Sequence, residues 1–438
     1  MGGYIPTTAQ QQQQMLQKIG LQDIHDLYKD IPGKMKCGDL QIPAAKSELE
    51  VRRLIESFAS ENKVFKTMFR GAGAYRHYIP SVVKQIASKE TFMTTYTPYQ
   101  AEVSQGLLQI IFEFQTEICS LTGMDVANAS VYDGPSAAAE ATIMCRERAR
   151  QRVLVASTAH PDAIDTIQTY CDSGNAPVEV VPAKEGVLDT DALRAALNDD
   201  VACLYLQSPN FFGLLEDAKS LADICHEAGV KLIYGCNPMA LPLLQTPAES
   251  GADIAVGEGQ PLGIPLSFGG PYLGFMACRQ ELVRRLPGRI AGETVDADGK
   301  RCFVLTLQAR EQHIRREKSL SSICSNQELC ALTATAYLAA MGPQGMRQVA
   351  QQCYSKAHYA AQQLQQAGLP LKYKGEFFHE FVTEAPANAD ELLQKLEDNG
   401  ILGGLPVQGG LLWCVTELNS KEEIDVLCQI CKEVVANK

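Results

Sequence analysis

No apolar run in this 438-residue chain reaches the roughly 20 residues that a membrane-spanning helix needs. The amino-terminal segment, MGGYIPTTAQQQQQML, has neither a basic stretch nor an apolar one behind it, so it does not read as a secretion signal. It begins Met-Gly, but Pro6 stands where a myristoylation signal needs Ser or Thr. The location expected is the cytoplasm, or an organelle matrix after loss of a transit peptide. Positive charge is in short supply: 39 Lys and Arg face 51 Asp and Glu, a net charge of −12, which argues against a nucleic-acid surface. P-loop and HExxH motifs are missing, as is a GxSxG nucleophile elbow. Gly257, Gly259 and Gly263 miss the dinucleotide fingerprint by one residue, because Leu262 occupies the third glycine's place.

Paired cysteines at zinc spacing are also missing. The fifteen cysteines lie scattered in apolar segments, as in Ile118-Cys119, Met144-Cys145 and Cys203-Leu204, the pattern of reduced core thiols. Cys428 and Cys431 form a CxxC on a predicted helix with no second pair, which reads as core packing before metal or redox work.

What is present is an ordinary globular composition, 46% hydrophobic and 21% charged, long enough for a large core and more than one domain. Residues 1–94 read as a helical region. Gln10–Gln14 reads as a polar helix face, because Met15, Leu16 and Ile19 follow it. Ser47 and Glu50 form a capping box ahead of Val51, Leu54, Ile55 and Phe58 at helical spacing. A long helix is predicted from Ala101 to Thr122, striped by Val103, Leu107, Ile111, Phe114, Ile118 and Leu121 and ended by Gly123.

Short apolar runs then alternate with helical patterns: Arg152–Ala156, Val178–Val181, Val201–Leu206, Lys231–Tyr234 and Tyr272–Cys278, with helices starting at Pro161, near Thr190 and near Asp217. This rhythm predicts an α/β domain over 95–341, with a mostly parallel central sheet covered on both faces. From 342 to 438 the style changes to a small α+β domain, with helices over 345–366, 390–397 and 420–435 and strands over 377–382 and 411–416. Ser420 and Glu423 form another capping box.

Four segments are candidates for chemistry. Tyr132-Asp133-Gly134-Pro135-Ser136 enters an alanine-rich helix, so Gly134, Ser136 and Ala137 read either as an anion site at a helix N-terminus or as a well-capped helix packed on the sheet. Tyr96, Tyr99, Gln100, Glu102 and Gln105 crowd phenols, amides and a carboxylate at a loop-to-helix junction, which suits a polar pocket or a cap over buried tyrosines. Gly71 and Gly73, beside Arg70, Tyr75 and His77, allow a close backbone approach to a ligand, while the lone His also suits a structural place. Arg310, His313, Arg315, Arg316 and Lys318 read as a solvated helix face before an anion or subunit contact.

Those same residues carry a resemblance. FMTTYTPYQAEVSQGLLQIIFEFQTEICSLTGMDVANASVYDGPSAAAEA (Phe92–Ala141) closely resembles the glycine decarboxylase family, the P-protein of the glycine cleavage system. REQHIRREKSLSSICSNQEL (Arg310–Leu329) resembles the subunit that corresponds to the amino-terminal half of the long single-chain form, the first subunit of the two-chain form. GAGAYRHYIP and SFGGPYLGFMACR agree, and the similarity spans essentially the whole chain. The resemblance implies the aspartate aminotransferase-like fold of pyridoxal phosphate (PLP) enzymes, fold type I. It implies removal of CO2 from glycine and transfer of the aminomethyl group to the lipoyl arm of the H-protein.

It also invites a test. Such an enzyme needs a Lys for the Schiff base and an Asp to hold the pyridine nitrogen protonated. After strand 231–234 the chain reads Gly235-Cys236-Asn237, and Gln260-Pro261 stands where the partner subunit of the family has His-Lys. No lysine occurs from Leu232 through Gly299. Lys300 and Lys318 follow no buried strand, so a self-sufficient PLP enzyme is the weaker reading, alongside a mere scaffold for a partner. The expectation is a subunit without its own PLP. It would assemble as a heterodimer or heterotetramer with a homologous, lysine-bearing second subunit that binds PLP covalently. Tyr96, Tyr99, Gln100, Glu102, Gln105, Arg70, Gly71, Gly73 and His77 are then candidates for a site shared between the two chains.

Overall fold

The computed structural model describes residues 6–38, 41–96 and 98–436. The chain divides into two units, Met1–Val64 and Phe65–Lys438. In the first unit Thr8 and Gln11 cap helix Ala9–Lys18, which holds the glutamine run, and Ser47 and Glu50 form the capping box of helix Glu48–Ser60. The apolar stripe of that second helix is uncovered: Val51, Leu54, Ile55 and Phe58 are all exposed.

The second unit is built on a seven-stranded sheet. Its order is 126–127, 274–278, 254–258, 231–236, 201–207, 152–156 and 178–181. The last five strands pair in parallel, and Gly274–Cys278 runs antiparallel to both its neighbours. Side chains alternate across a strand, so Leu154 and Ala156 enter one core with Leu204, Leu232 and Phe114, while Val153 and Val155 enter the other with Cys203, Ile233 and Met144. Burial on both faces is why these strands read as continuous apolar runs.

Beyond the sheet, helix Glu328–Gln366 changes direction at Gly342 (φ 61°), just before Pro343. A three-stranded sheet (380–384, 410–414, 405–407) and helices Ala389–Asp398 and Lys421–Ala436 follow. Trp413, Cys428 and Cys431 are buried in the core there, so the CxxC packs as apolar bulk. Strand Thr67–Met68 pairs in parallel with Ile401–Leu402, which leads the 69–78 segment onto this region.

Three expectations need correction. Helix Gln105–Thr122 starts four residues later than the apolar pattern suggests, with Ser104 as its N-cap, and Val103 is left in the preceding turn, exposed. The charged helix expected around Arg310 breaks into short turns, because Arg310 donates to the Leu286 and Gly288 carbonyls and Glu311 is buried against Arg289. Hairpin Ala291–Val295/Arg301–Leu305 has no counterpart among the predicted elements. Among the described residues no helix is long and apolar enough to cross a membrane.

Candidate functional site

A cleft of about 350 Å³ opens where the parallel strands end. Gln207, Cys236 and Glu258 stand at the C-terminal ends of three neighbouring strands, and the 72–75 and 379–380 segments close the opposite side. In open α/β sheets this crevice is the usual ligand site. Among the described residues that line it there is no lysine and no arginine.

Helix Gly134–Cys145 points its N-terminus into the cleft, and the chain supplies its own anion. The Glu258 carboxylate accepts from the Gly134 N–H at 3.0 Å, and from the Gln260 and Leu273 N–H groups at 2.8 and 2.9 Å. Asp133 accepts from Ser136 N–H through its side chain and from Ala137 N–H through its carbonyl. Pro135 has no N–H, so every donor of the first turn is used. Burial pushes Glu258 above the usual carboxylate range, against the pull of its three N–H donors.

Gln260 is almost wholly buried and acts as a clamp. Its Oε1 accepts from Tyr75 N–H at 2.8 Å, and its Nε2 donates to the Tyr75 carbonyl at 2.9 Å and to the Ile264 carbonyl at 2.7 Å. The clamped segment fills the cleft's other side. His160 Nε2 meets the Ala72 carbonyl at 2.9 Å, while Glu380 accepts from Ala72 N–H and from the Tyr75 hydroxyl, both at 2.7 Å. Burial pushes Glu380 up to about 7. At the end of strand 231–236, Cys236 is a buried thiol whose pKa burial raises far above the ordinary value, and Asn237 presents an amide. A cofactor that needs an amine for its aldehyde and donors for its phosphate finds no lysine or arginine among the described lining residues, and a carboxylate already on the helix N-terminus. The cleft does not fit pyridoxal phosphate.

The sequence-derived candidates fall into three places. Gly73 and Gly134 line the cleft together. Gly71 and Gly73 do allow a close approach, but to the chain itself: a Cβ on Gly71 would sit 2.6 Å from Glu380 Oε1, and one on Gly73 (φ 104°) 2.7 Å from His160 Nε2. Arg70 turns away and donates to the Gly403 and Gly404 carbonyls. His77 lies behind the cleft, its Nδ1 2.7 Å from Glu417, with the Cys353 thiol 3.4 Å from the same carboxylate oxygen. Burial works to raise Glu417, but the bonds from His77 and Tyr78 outweigh it and hold the carboxylate low.

The aromatic segment does not line the cleft. Tyr96 is 97% exposed, and Gln100 and Glu102 are open to solvent. Tyr99 donates to Asn326 under the Arg289 guanidinium, and burial pushes its phenol up to about 12. Gln105 ties the helix start to the 291–305 hairpin through both the N–H and the carbonyl of Phe303 at 2.8 Å. Thr97 lies outside the described residues. Glu258, Glu380, His160 and His379 escaped the sequence reading. Glu258, two residues before Gln260, was the one with a local signal.

Residues 2–431 match the family described as glycine cleavage system P-protein. A curated relative from Moorella thermoacetica, "Probable glycine dehydrogenase (decarboxylating) subunit 1", is 48% identical, with 99% of this chain and 100% of that protein covered. A crystal structure of glycine decarboxylase (P-protein) of the glycine cleavage system, in inhibitor-bound form, superposes with a TM-score of 0.92 at 38% identity, covering 99% of this chain and 100% of that one. An alanine–glyoxylate aminotransferase from Nostoc sp. shares the fold alone, with a TM-score of 0.61 at 16% identity over 92% of this chain and 98% of that one.

Proposed function

The chain belongs to the glycine cleavage system P-protein family, and from that premise we propose that it is the subunit of the glycine-decarboxylating enzyme that carries no cofactor of its own. The observation behind this reading is the Gln260-Pro261 pair: a proline stands at the lysine's place, and Gln260 beside it is spent at both ends on holding the Tyr75 backbone. In the reading we adopt, a homologous lysine-bearing second subunit holds pyridoxal phosphate covalently. The assembled enzyme, in the cytoplasm, removes CO2 from glycine and passes the aminomethyl group to the lipoyl arm of the H-protein.

This chain's contribution is then steric and polar. Tyr96, Gln100 and Glu102 are free to face the partner, where hydroxyl and amide donors meet a carboxylate without adding net charge. Tyr99 and Gln105 act behind them as positioning residues, because their polar atoms are already engaged with Asn326 and Phe303. Walls from two chains exclude water from a small substrate better than one open surface does.

The test is co-expression with the lysine-bearing subunit. The pair should co-elute and exchange CO2 into glycine, and neither chain should do so alone. Activity of this chain by itself would overturn the reading.

A further inference from the structure

Between strands 254–258 and 274–278 the chain makes a tight turn over Leu266–Gly269, closed by the Gly269 N–H on the Leu266 carbonyl at 3.0 Å. The Tyr272 hydroxyl donates to the same carbonyl at 3.1 Å and braces the base. Gly269 and Tyr272 lie on the cleft rim, so the turn rises from it. Its two central residues, Ser267 and Phe268, both have positive φ, 45° and 56°. Gly, Asn and Asp normally take such positions, and a bulky aromatic there is an outlier. The Phe268 side chain is 100% exposed. Beside the tip there is open space: a Cβ on Gly269 would meet nothing within 4 Å. A strained backbone therefore displays a large apolar ring to water, and the isolated chain gains from neither.

The surroundings narrow the occupant. The exposed stretch from Pro265 through Tyr272 carries no Asp, Glu, Lys or Arg, and the segments on either side of it are buried. Depletion of charge around an aromatic marks the core of a protein interface. A lipid surface would call for basic residues beside the ring, and a second copy would bring another −12 of charge.

We propose that the Phe268 turn is an interface anchor that seats in an apolar pocket of the lysine-bearing partner subunit. The inference rests on the reading that such a partner exists. An aromatic carried on a turn already fixed in its displayed conformation loses little freedom on binding, and single buried aromatics near an interface centre carry much of the affinity.

The chain's one tryptophan, Trp413, is fully buried, so Phe268→Trp adds a single exposed reporter. Mixed with purified partner subunit, this variant should shift its emission to the blue and lose quenching by iodide. Phe268→Asp should weaken association by about thirtyfold while leaving the isolated chain's circular dichroism and melting unchanged. Wild-type affinity of Phe268→Asp, with the indole of the Phe268→Trp variant still quenched in the complex, overturns the proposal. So does a blue shift that grows with concentration of this chain alone, or on adding lipid vesicles, because each assigns the turn another occupant. Wild-type chains that fail to associate at all would sink both this proposal and the two-subunit reading, whereas association indifferent to Phe268 would sink the anchor alone.

Discussion

The cleft and its outer rim are opposites. Inside, many polar groups answer one another: Glu258 takes three backbone N–H groups, Gln260 takes both sides of Tyr75, and Glu380 holds Ala72 and the Tyr75 hydroxyl, while the Asn237 amide nitrogen and both His379 ring nitrogens have no hydrogen-bond partner among the described residues. Elsewhere on the same unit Phe268 and Tyr96 stand in water. A cleft whose helix N-terminus already holds its own carboxylate has no free anion site there, and an exposed apolar ring has none of its area buried. The chain retains the fold of a cofactor enzyme, and its unsatisfied surface lies outward.

The comparison is broken most severely at Gln260. Gln260→Lys puts a lysine one residue before the place the family's lysine would take, yet it removes the clamp on Tyr75 and buries an ammonium among groups that are already paired. We expect a loss of about 3–5 kcal/mol in urea unfolding, with no new absorbance band on adding pyridoxal phosphate. A stable variant that binds the cofactor would mean that the cleft is open after all.

Glu258→Ala comes next. It orphans the N–H groups of Gly134, Gln260 and Leu273 and should cost roughly 3 kcal/mol. It also re-creates an anion site, so inorganic phosphate should raise the variant's melting temperature and leave that of the wild type unchanged. Equal phosphate effects on the two proteins would show that Glu258 does not fill that site.

The aromatic segment sharpens the contrast at lower magnitude. In the assembled enzyme Tyr96→Ala should lower glycine–CO2 exchange roughly 10–100-fold, with the isolated chain's melting unaltered. Tyr99→Phe should lower stability by about 1 kcal/mol, because a buried hydroxyl loses Asn326, with a smaller effect on turnover. A reversal of the two patterns would exchange the roles assigned to these tyrosines.

A pH effect is spread over several units. Glu380 has an ordinary value of 4.5 and is pushed up to about 7 by burial, so between those limits the folded chain holds a proton that the unfolded chain has released. Stability from this group is therefore full below about pH 4.5, falls as pH rises to about 7, and is level above. The slope it adds is at most about 1.4 kcal/mol per pH unit. Glu140 and Glu328, also raised to about 7, add to the same decline. Glu380→Gln should flatten the slope by one proton's share, and an unchanged slope would place the titration elsewhere.

Much of this was legible in the sequence because the signals were local. Ser47/Glu50 and Ser420/Glu423 form their caps, and Arg152–Ala156 and Val178–Val181 are strands with the bounds their apolar runs give. The clamp was not legible, because Gln260 meets Tyr75, and Glu380 meets Ala72, across 185 and 308 residues of chain. Burial of Arg310 was hidden for the same reason: its partners are carbonyls of a distant loop, which carry no residue signature.

The central claim is that this chain lends walls and contacts while its partner holds the cofactor. The assembled pair, saturated with pyridoxal phosphate, reduced with borohydride and digested, tests it directly. All of the pyridoxyl label should lie on peptides of the partner subunit. A stoichiometrically labelled lysine in this chain would contradict the account.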